Sequence, residues 1–285
     1  MKQHMLFLGF GYCARTLARS LDRRIWNVTG TSRSVAGLAA IAAEGVRGIA
    51  FERLGHLPDN VTHLVSSVPP DASGDPVIRQ FGQALAQAAE TCRWAAYLST
   101  TGVYGDHGGA WVDESAPTAP NTERGRRRLA AETAWQDLHR AHRLPLHVFR
   151  LAGIYGPGRN VLEQLRQGTA KRVIKPGQVF SRIHVQDIAG VLQASMARPN
   201  AGRIYNVADD APCPPQDVVA FGATLLGVAP PPETAFSEAS LSAMAASFYA
   251  DSKRVCNDRV KTELGYKLTF PSYREGLTAL LRGVP

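Results

Sequence analysis

An α/β fold on a doubly wound parallel sheet is predicted by three observations. Strand and helix signals alternate through residue 151, the pattern of parallel strands joined by helical crossovers. A glycine-rich turn, Gly9-Phe10-Gly11-Tyr12-Cys13-Ala14, falls between the first strand and the first helix. The 285 residues, 45% hydrophobic and 20% charged, suffice for one large core with a smaller lobe attached.

In chain order, His4–Leu8 reads as a short buried strand. Ala14–Leu21 then shows helical spacing, with Leu17 and Leu21 on one face. Trp26–Thr31 is the second strand, Val35–Ala43 the second helix and Gly48–Phe51 a weak third strand. His63–Val68 is the fourth strand, stopped by Pro69-Pro70. Asp75–Arg93 is a helix, since Pro76 suits a first turn and Val77, Phe81, Leu85 and Ala88 form an apolar stripe. Ala95–Thr100 is the fifth strand. Gly125–Arg143 is a long helix carrying Leu129, Ala130, Trp135 and Leu138, and Leu146–Leu151 is the sixth strand. Past the tight turn Gly156-Pro157-Gly158 the regularity weakens. Val161–Gly168, Val185–Ala197, Gln216–Leu226 and Tyr273–Leu281 read as helices. Arg172–Ile174, Ser181–His184 and Arg203–Val207 read as short strands, and the Pro- and Ala-rich Gly227–Ala239 as a loop. The expected organisation is a sheet region over 1–155 and a smaller α/β lobe over 156–285, interleaved with it.

The net charge of +8 favours anionic partners: phosphorylated cofactors, acidic substrates or nucleic acid. No run of about 18 apolar residues suggests a transmembrane helix. The N-terminal residues enter a strand pattern with no signal-peptide segment. Cys13, Cys92, Cys213 and Cys256 are scattered without metal-ligand spacing, which predicts no metal site and reduced thiols in a cytoplasm. Cys13 sits at a helix N-terminus, where a thiol pKa can fall, but a filler role is the preferred reading.

The glycine turn has a specific physical logic. Gly9 allows the tight turn, Gly11 lacks a Cβ and lets a pyrophosphate approach the backbone, and Ala14 lets helix and strand pack closely. The helix N-terminus supplies free N–H groups and partial positive charge. In this strand–turn–helix context the turn predicts a Rossmann site for a nicotinamide dinucleotide. The end of the second strand reads Thr31-Ser32-Arg33-Ser34, without the carboxylate that holds a ribose 2′-OH. Arg33 and hydroxyls such as that of Ser34 suit a 2′-phosphate instead. NADP(H) is therefore expected ahead of NAD(H), with a solvated surface Arg33 as the alternative.

Five segments in order then carry a resemblance. They are the turn Gly9–Ala14, Leu98-Ser99-Thr100-Thr101-Gly102-Val103-Tyr104-Gly105-Asp106, Arg150-Leu151-Ala152-Gly153-Ile154-Tyr155-Gly156-Pro157-Gly158-Arg159-Asn160, Arg182-Ile183-His184-Val185-x-Asp187 and Ile204-Tyr205-Asn206-Val207-Ala208-Asp209. With them the chain resembles the extended short-chain dehydrogenase/reductases, the NAD-dependent epimerase/dehydratase family, over nearly its whole length. The resemblance implies a small C-terminal substrate lobe and a catalytic set of Ser/Thr, Tyr and Lys. Thr100 fills the Ser/Thr slot. The helix that should read Tyr-x-x-x-Lys reads Arg124 to Arg128, in a register fixed by Leu129 and Glu132. Arg128 keeps the charge and donors needed to hold ribose hydroxyls. Arg124 cannot replace a phenol, because a guanidinium releases no proton near neutral pH. Glu123, beside the slot, is the substitute candidate for the acid/base.

The resemblance also sets Phe10, Tyr12, Cys13, Val68, Pro69 and Gly153 along the dinucleotide, and Tyr104, Arg159, Asn160 and Arg182 toward the substrate. For Tyr104 and Tyr155, packing or cofactor stacking leads. His184 and Asp187 read as a structural corner, with Asp187 at a helix N-terminus. Arg124, Arg126, Arg127 and Arg128 cover more than one helical turn without interleaved aromatics, which disfavours nucleic acid. The expected function is an NAD(P)-binding oxidoreductase or epimerase/dehydratase for a small polar or nucleotide-sugar-like substrate, as a monomer or a homodimer. The alternative is a non-catalytic dinucleotide-binding redox sensor that signals to a protein partner.

Overall fold

The computed structural model describes residues 2–58 and 60–283; Met1, Val284 and Pro285, at the outer ends of the two expected regions, lie outside them. The first half runs β1 (Gln3–Leu8), α1 (Tyr12–Ser20), β2 (Trp26–Ser32), α2 (Val35–Ala43), β3 (Arg47–Ala50), β4 (His63–Ser66), α3 (Pro76–Ala88), β5 (Trp94–Thr100), β6 (Trp111–Val112), α4 (Glu123–His142) and β7 (Leu146–Leu151). It continues through β8 (Gly153–Tyr155), α5 (Val161–Arg166), β9 (Arg172–Ile174), β10 (Arg182–His184), α6 (Val185–Ala197), β11 (Ile204–Val207) and α7 (Pro215–Leu226). The last elements are β12 (Glu233–Ala235), α8 (Ala243–Phe248), β13 (Arg254–Val255), α9 (Asp258–Leu264) and α10 (Tyr273–Leu281).

Seven strands form one sheet in the order β11-β7-β5-β4-β1-β2-β3, and every neighbouring pair is parallel. This is a Rossmann-type doubly wound sheet. Along β1, Met5 and Phe7 enter the core under α1 and α6, whereas Leu6 and Leu8 enter the core under α3 and α4, as a period of two requires. Asp75 starts α3 by accepting from the N–H of Val77 (2.8 Å) and of Ile78 (3.2 Å), ahead of Pro76. Its other oxygen accepts from Trp135 Nε1 (3.1 Å), which locks α3 to α4.

The C-terminal lobe gathers α5, α7 and α10 around Leu162, Val219, Tyr273 and Leu277. Residues past 155 also return to the main sheet: β11 forms its edge and α6 packs on α1. Asp187 is fully buried on α6 and accepts from Tyr266 Oη (2.9 Å) and from the N–H of Thr269 (2.7 Å) and Phe270 (3.0 Å). It therefore anchors the 266–270 segment, while His184 caps the helix by accepting from Gln186 N–H (3.3 Å).

Several expectations need correction. Phe51 opens a 3-10 turn, Phe51–Arg53, instead of ending β3. The stretch expected as the loop Gly227–Ala239 contains β12, paired in parallel with β9. Three residues that gain strand geometry from a distant partner carry no periodicity of their own. The same holds for the short elements β6, β8 and β13, and α8 and α9 went unexpected too. Among the described residues, no helix is long and apolar enough to cross a membrane.

Two buried polar groups on β7 tie it to its surroundings. Arg150 on β7 donates from Nη2 to Glu132 on α4 at 2.8 Å and from Nε to both carboxylate oxygens at 3.2 Å. Ser99 on β5 also donates to Glu132, and Arg150 lies 4.8 Å over the Tyr104 ring. Glu132→Leu strands the Arg150 charge in the core and should cost about 3–5 kcal/mol. The urea midpoint should fall at an unchanged m-value, and a wild-type midpoint would refute this role. His147 accepts from Asn200 N–H at Nε2 (2.9 Å) with Nδ1 facing Ala95 O (3.3 Å), so its buried ring is the neutral Nδ1–H tautomer. Burial pushes it from 6.5 to about 4. Its contribution is fully present above pH 6.5 and lost as pH falls toward 4. The stability difference between wild type and His147→Gln should narrow over that window; a difference independent of pH would contradict it.

Candidate functional site

The glycine turn is clamped between the ends of β2 and β4. Gly9 has φ +87°, and a Cβ there would press on Ser67 Oγ at 3.0 Å and Val68 Cγ2 at 3.2 Å. Its N–H donates to Thr31 Oγ1 and its carbonyl accepts from Ser67 Oγ, both at 2.9 Å. Phe10 N–H donates to Thr31 O at 3.1 Å. The Phe10 ring turns inward, edge-on to Phe7 at 5.4 Å and against Gly30, so it packs and only its backbone serves the turn. Buried Val68 and exposed Pro69 follow β4 beside Gly9.

Gly11 is exposed, and a Cβ built on it meets nothing within 4 Å. It precedes the first turn of α1, which has neither a side-chain cap nor an acidic residue. The N–H groups and positive end of α1 therefore open onto empty space, a geometry that fits a pyrophosphate. Cys13 is buried, and burial pushes its thiol up to about 11 despite the helix terminus. It is a packing residue, and only its backbone belongs to the turn. Tyr12 Oη donates to Pro157 O at 2.9 Å and ties the turn to the segment after β8.

At the end of β2, Thr31 is buried and committed to the turn. Ser34 caps α2 by accepting from Gly37 N–H at 3.0 Å. Arg33 is exposed, and its side chain has no hydrogen bond or ion pair among the described residues. No carboxylate stands in the run 31–34.

Thr100 ends β5, half-buried, and its Oγ1 accepts from Gly102 N–H at 3.2 Å, which leaves its hydrogen free to donate. The first turn of α4 packs on this corner: a Cβ on Gly125 would come within 2.9 Å of Gly102 O. Arg128 Nη1 donates to Leu98 O (3.0 Å) and Tyr97 Oη (3.1 Å), so half of its fork is turned into β5. Gly153 is exposed at the start of β8, with its N–H on Ser181 O at 3.1 Å.

Three expected site residues are corrected by their surroundings. Glu123 is 61% exposed and paired with Arg126 (3.1 Å) and Arg127 (2.9 Å), which hold its carboxyl below the usual range. A general base needs the opposite shift. Tyr104 is fully buried, and its hydroxyl donates to Asn206 Oδ1 at 2.8 Å, so it cannot meet a substrate. Asn160 caps α5 through Glu163 N–H (3.1 Å) and donates to Gly156 O (2.9 Å), which occupies both ends of its amide.

The arginines separate. Arg182 is held in the lobe by Phe180 O (3.1 Å) and Cys213 Sγ (3.2 Å). Arg159 is exposed and closes the turn Gly156–Arg159, whose Pro157 O is bonded by Tyr12 Oη of the first turn of α1. Sequence reasoning gave no role to Asp209, at the end of the fifth quoted segment. It is buried with an unpartnered Oδ2, and burial raises it to about 7. The signal available was its position just past a sheet strand. Asp209 also lines a 930 Å³ cavity with Trp111, Asp113, Asp210 and Lys261, which no residue of the glycine turn reaches.

Comparison with known proteins agrees with this geometry. The model of the NAD dependent epimerase/dehydratase family matches residues 7–208. The chain is 28% identical over 279 residues to Protein YeeZ of Escherichia coli (strain K12), covering 93% of this chain and 95% of that one. It superposes with TM-score 0.93 and 52% identity on a functionally unknown conserved protein from Silicibacter pomeroyi DSS, over 99% of both chains. Two more distant structures share the fold. One is a dTDP-glucose 4,6-dehydratase from Bacillus anthracis in complex with NAD (TM-score 0.75, 16% identity, 99% and 96% covered). The other is a human epimerase family protein with NADPH (TM-score 0.73, 18% identity, 98% and 99% covered). The chain belongs to the NAD-dependent epimerase/dehydratase family, as an atypical member.

Proposed function

We propose that the protein is an NADP(H)-dependent oxidoreductase of the epimerase/dehydratase type acting on a small polar or nucleotide-sugar-like substrate. The observation that carries this reading is the open, uncapped N-terminus of α1 at Gly11. Arg159 adds positive charge beside it. Arg33, exposed and unpaired where a carboxylate would mark NAD(H), supports the 2′-phosphate. The family's solved relatives with NAD or NADPH support the dinucleotide without choosing between the two forms.

Bound here, the nicotinamide would give or take a hydride. Thr100 would orient the reacting oxygen through its free hydroxyl hydrogen. Arg128 would offer its remaining donors to ribose hydroxyls. The lowered pKa of Glu123 argues against it as the acid/base, and the Arg124 guanidinium releases no proton near neutral pH, so water at the exposed start of α4 would supply the proton on the reacting oxygen. That same lack of a protein acid favours the second reading, a redox sensor that binds dinucleotide and signals to a protein partner. The four free cysteines support a reducing compartment such as the cytoplasm.

Fluorescence titration should show NADPH binding at least about tenfold tighter than NADH, with the preference lost in Arg33→Asp. Equal affinities would remove the NADP(H) assignment. Gly11→Val should keep the wild-type melting temperature, because the Cβ enters open space, and lose dinucleotide binding. Normal binding by that variant would end the proposal. Oxidation of bound NADPH by a substrate panel separates enzyme from sensor, and Thr100→Val should slow it about a hundredfold.

A further inference from the structure

The 930 Å³ cavity that Asp209 lines stands apart from the glycine turn. Its walls come from the parallel pair β6–β13, the turn after β6, the residues just past β11 and the start of α9. The lining carries the carboxylates of Asp113, Asp209, Asp210 and Asp258 against the single ammonium of Lys261. On a chain of net charge +8, this is an acidic hollow in a basic protein. Trp111, 60% exposed, stands in the same wall.

Local structure explains part of this acidity. Asp210 takes Lys261 Nζ at 2.6 Å and Asn257 Nδ2 at 2.7 Å. Asp113 closes the turn after β6 by accepting from the N–H of Ser115 (2.8 Å) and Ala116 (3.2 Å). Asp258 opens α9, where negative charge is favourable. Neither Asp113 nor Asp258 has an ion-pair partner among the described residues. Arg259, whose charge acts on Asp113, is committed to Glu114 (3.6 Å), Glu263 (3.8 Å) and Ile204 O (3.0 Å).

Asp209 is the residue that local structure leaves unexplained. It is 1% exposed; Oδ1 accepts from Ala211 N–H at 3.2 Å, and Oδ2 has no partner. Burial raises its pKa to about 7 against the pull of Arg182, which is itself bonded to Phe180 O and Cys213 Sγ. A buried carboxylate without a counter-charge is costly, and buried acceptors are seldom left unpaired. A cation in the cavity would supply what Asp209 lacks, and an indole face attracts the same charge. Among the described residues, no three His, Cys, Asp or Glu gather as metal ligands, so the acids are spread for a larger cation.

We infer that this cavity is a second binding site, for a small organic cation whose ammonium or guanidinium group is held by the carboxylates of Asp113, Asp209 and Asp258 and by Trp111. Its volume lies in the range of small-molecule sites. The site goes beyond the dinucleotide-dependent reading of the cleft and does not rest on it.

The test is calorimetric titration of the whole, cofactor-free protein with agmatine, and with butylurea as an uncharged molecule of similar planar shape. Agmatine should saturate one site, and butylurea should not bind. Asp209→Asn should weaken agmatine about tenfold, as loss of a charged acceptor does. Trp111→Ala, at an exposed position, should weaken it about threefold to fivefold. Lys261→Gln should tighten it, because the one competing cation is gone; damaged packing would not produce a gain. Asp137→Asn, on α4 and paired only with Arg140, should match wild type. Melting temperatures report folding, and if Asp209→Asn does not fold, Asp258→Asn at an exposed position takes its place with the same expected loss. Any of four results overturns the inference: agmatine does not saturate, butylurea binds equally well, the aspartate variant binds as wild type does, or Lys261→Gln weakens binding.

Discussion

The fold turns on a reversal of strand order at β1, which has β2 on one edge and β4 on the other. Crossovers leave the sheet on opposite faces from this point, so the chain after β1 must turn sharply between two strand ends. Gly9 meets that demand with a left-handed φ and no Cβ, wedged against Ser67 and Val68 on one side and bonded to Thr31 on the other. The turn aims α1 so that its positive end faces the crevice. A side chain at Gly9 would meet backbone on β4's exit, whereas one at Gly11 would meet only open space. The two glycines therefore meet different surroundings, the first wedged between strand ends and the second open to solvent.

Charge is managed differently inside and at the mouth of the cleft. In the interior, Arg150 is matched by Glu132, stacked on Tyr104 and bounded by Ser99. A buried ion is tolerated only with such a set of partners. At the mouth, Arg33, Arg124 and Arg159 lack any acidic partner among the described residues. The surplus expressed in the net charge of +8 is thus partly concentrated where anions would dock.

The departure from the family's catalytic set has a chemical consequence. A phenol beside a lysine can exchange a proton; a guanidinium can only stabilise negative charge. As arginines, Arg124 and Arg128 can supply only the electrostatic half of that function and not the proton. Their neighbour Glu123 does not restore it, since it is exposed and held ionised by Arg126 and Arg127. Thr100 ends β5 as expected, with its hydroxyl hydrogen free to donate.

The sequence by itself determined the features written in backbone and local period. Strand–helix alternation through Leu151, the strand–turn–helix setting of Gly9 and Gly11, and the Asp75-Pro76 start of α3 are all local, and each appears as expected. Tertiary structure decided what the polar side chains do. Tyr104 and Asn160 sit in motifs that suggest a ligand, yet Asn206 claims the first, and Gly156 and the start of α5 the second. The turn that carries Arg159 is tied to the first turn of α1 by the bond from Tyr12 to Pro157, a contact that no spacing along the chain announces. β12 exists only because β9 lies beside it. Spacing along a chain fixes which residues share a face, but a polar group's role depends on which donor, acceptor or charge meets it, and those partners come from elements far away in sequence.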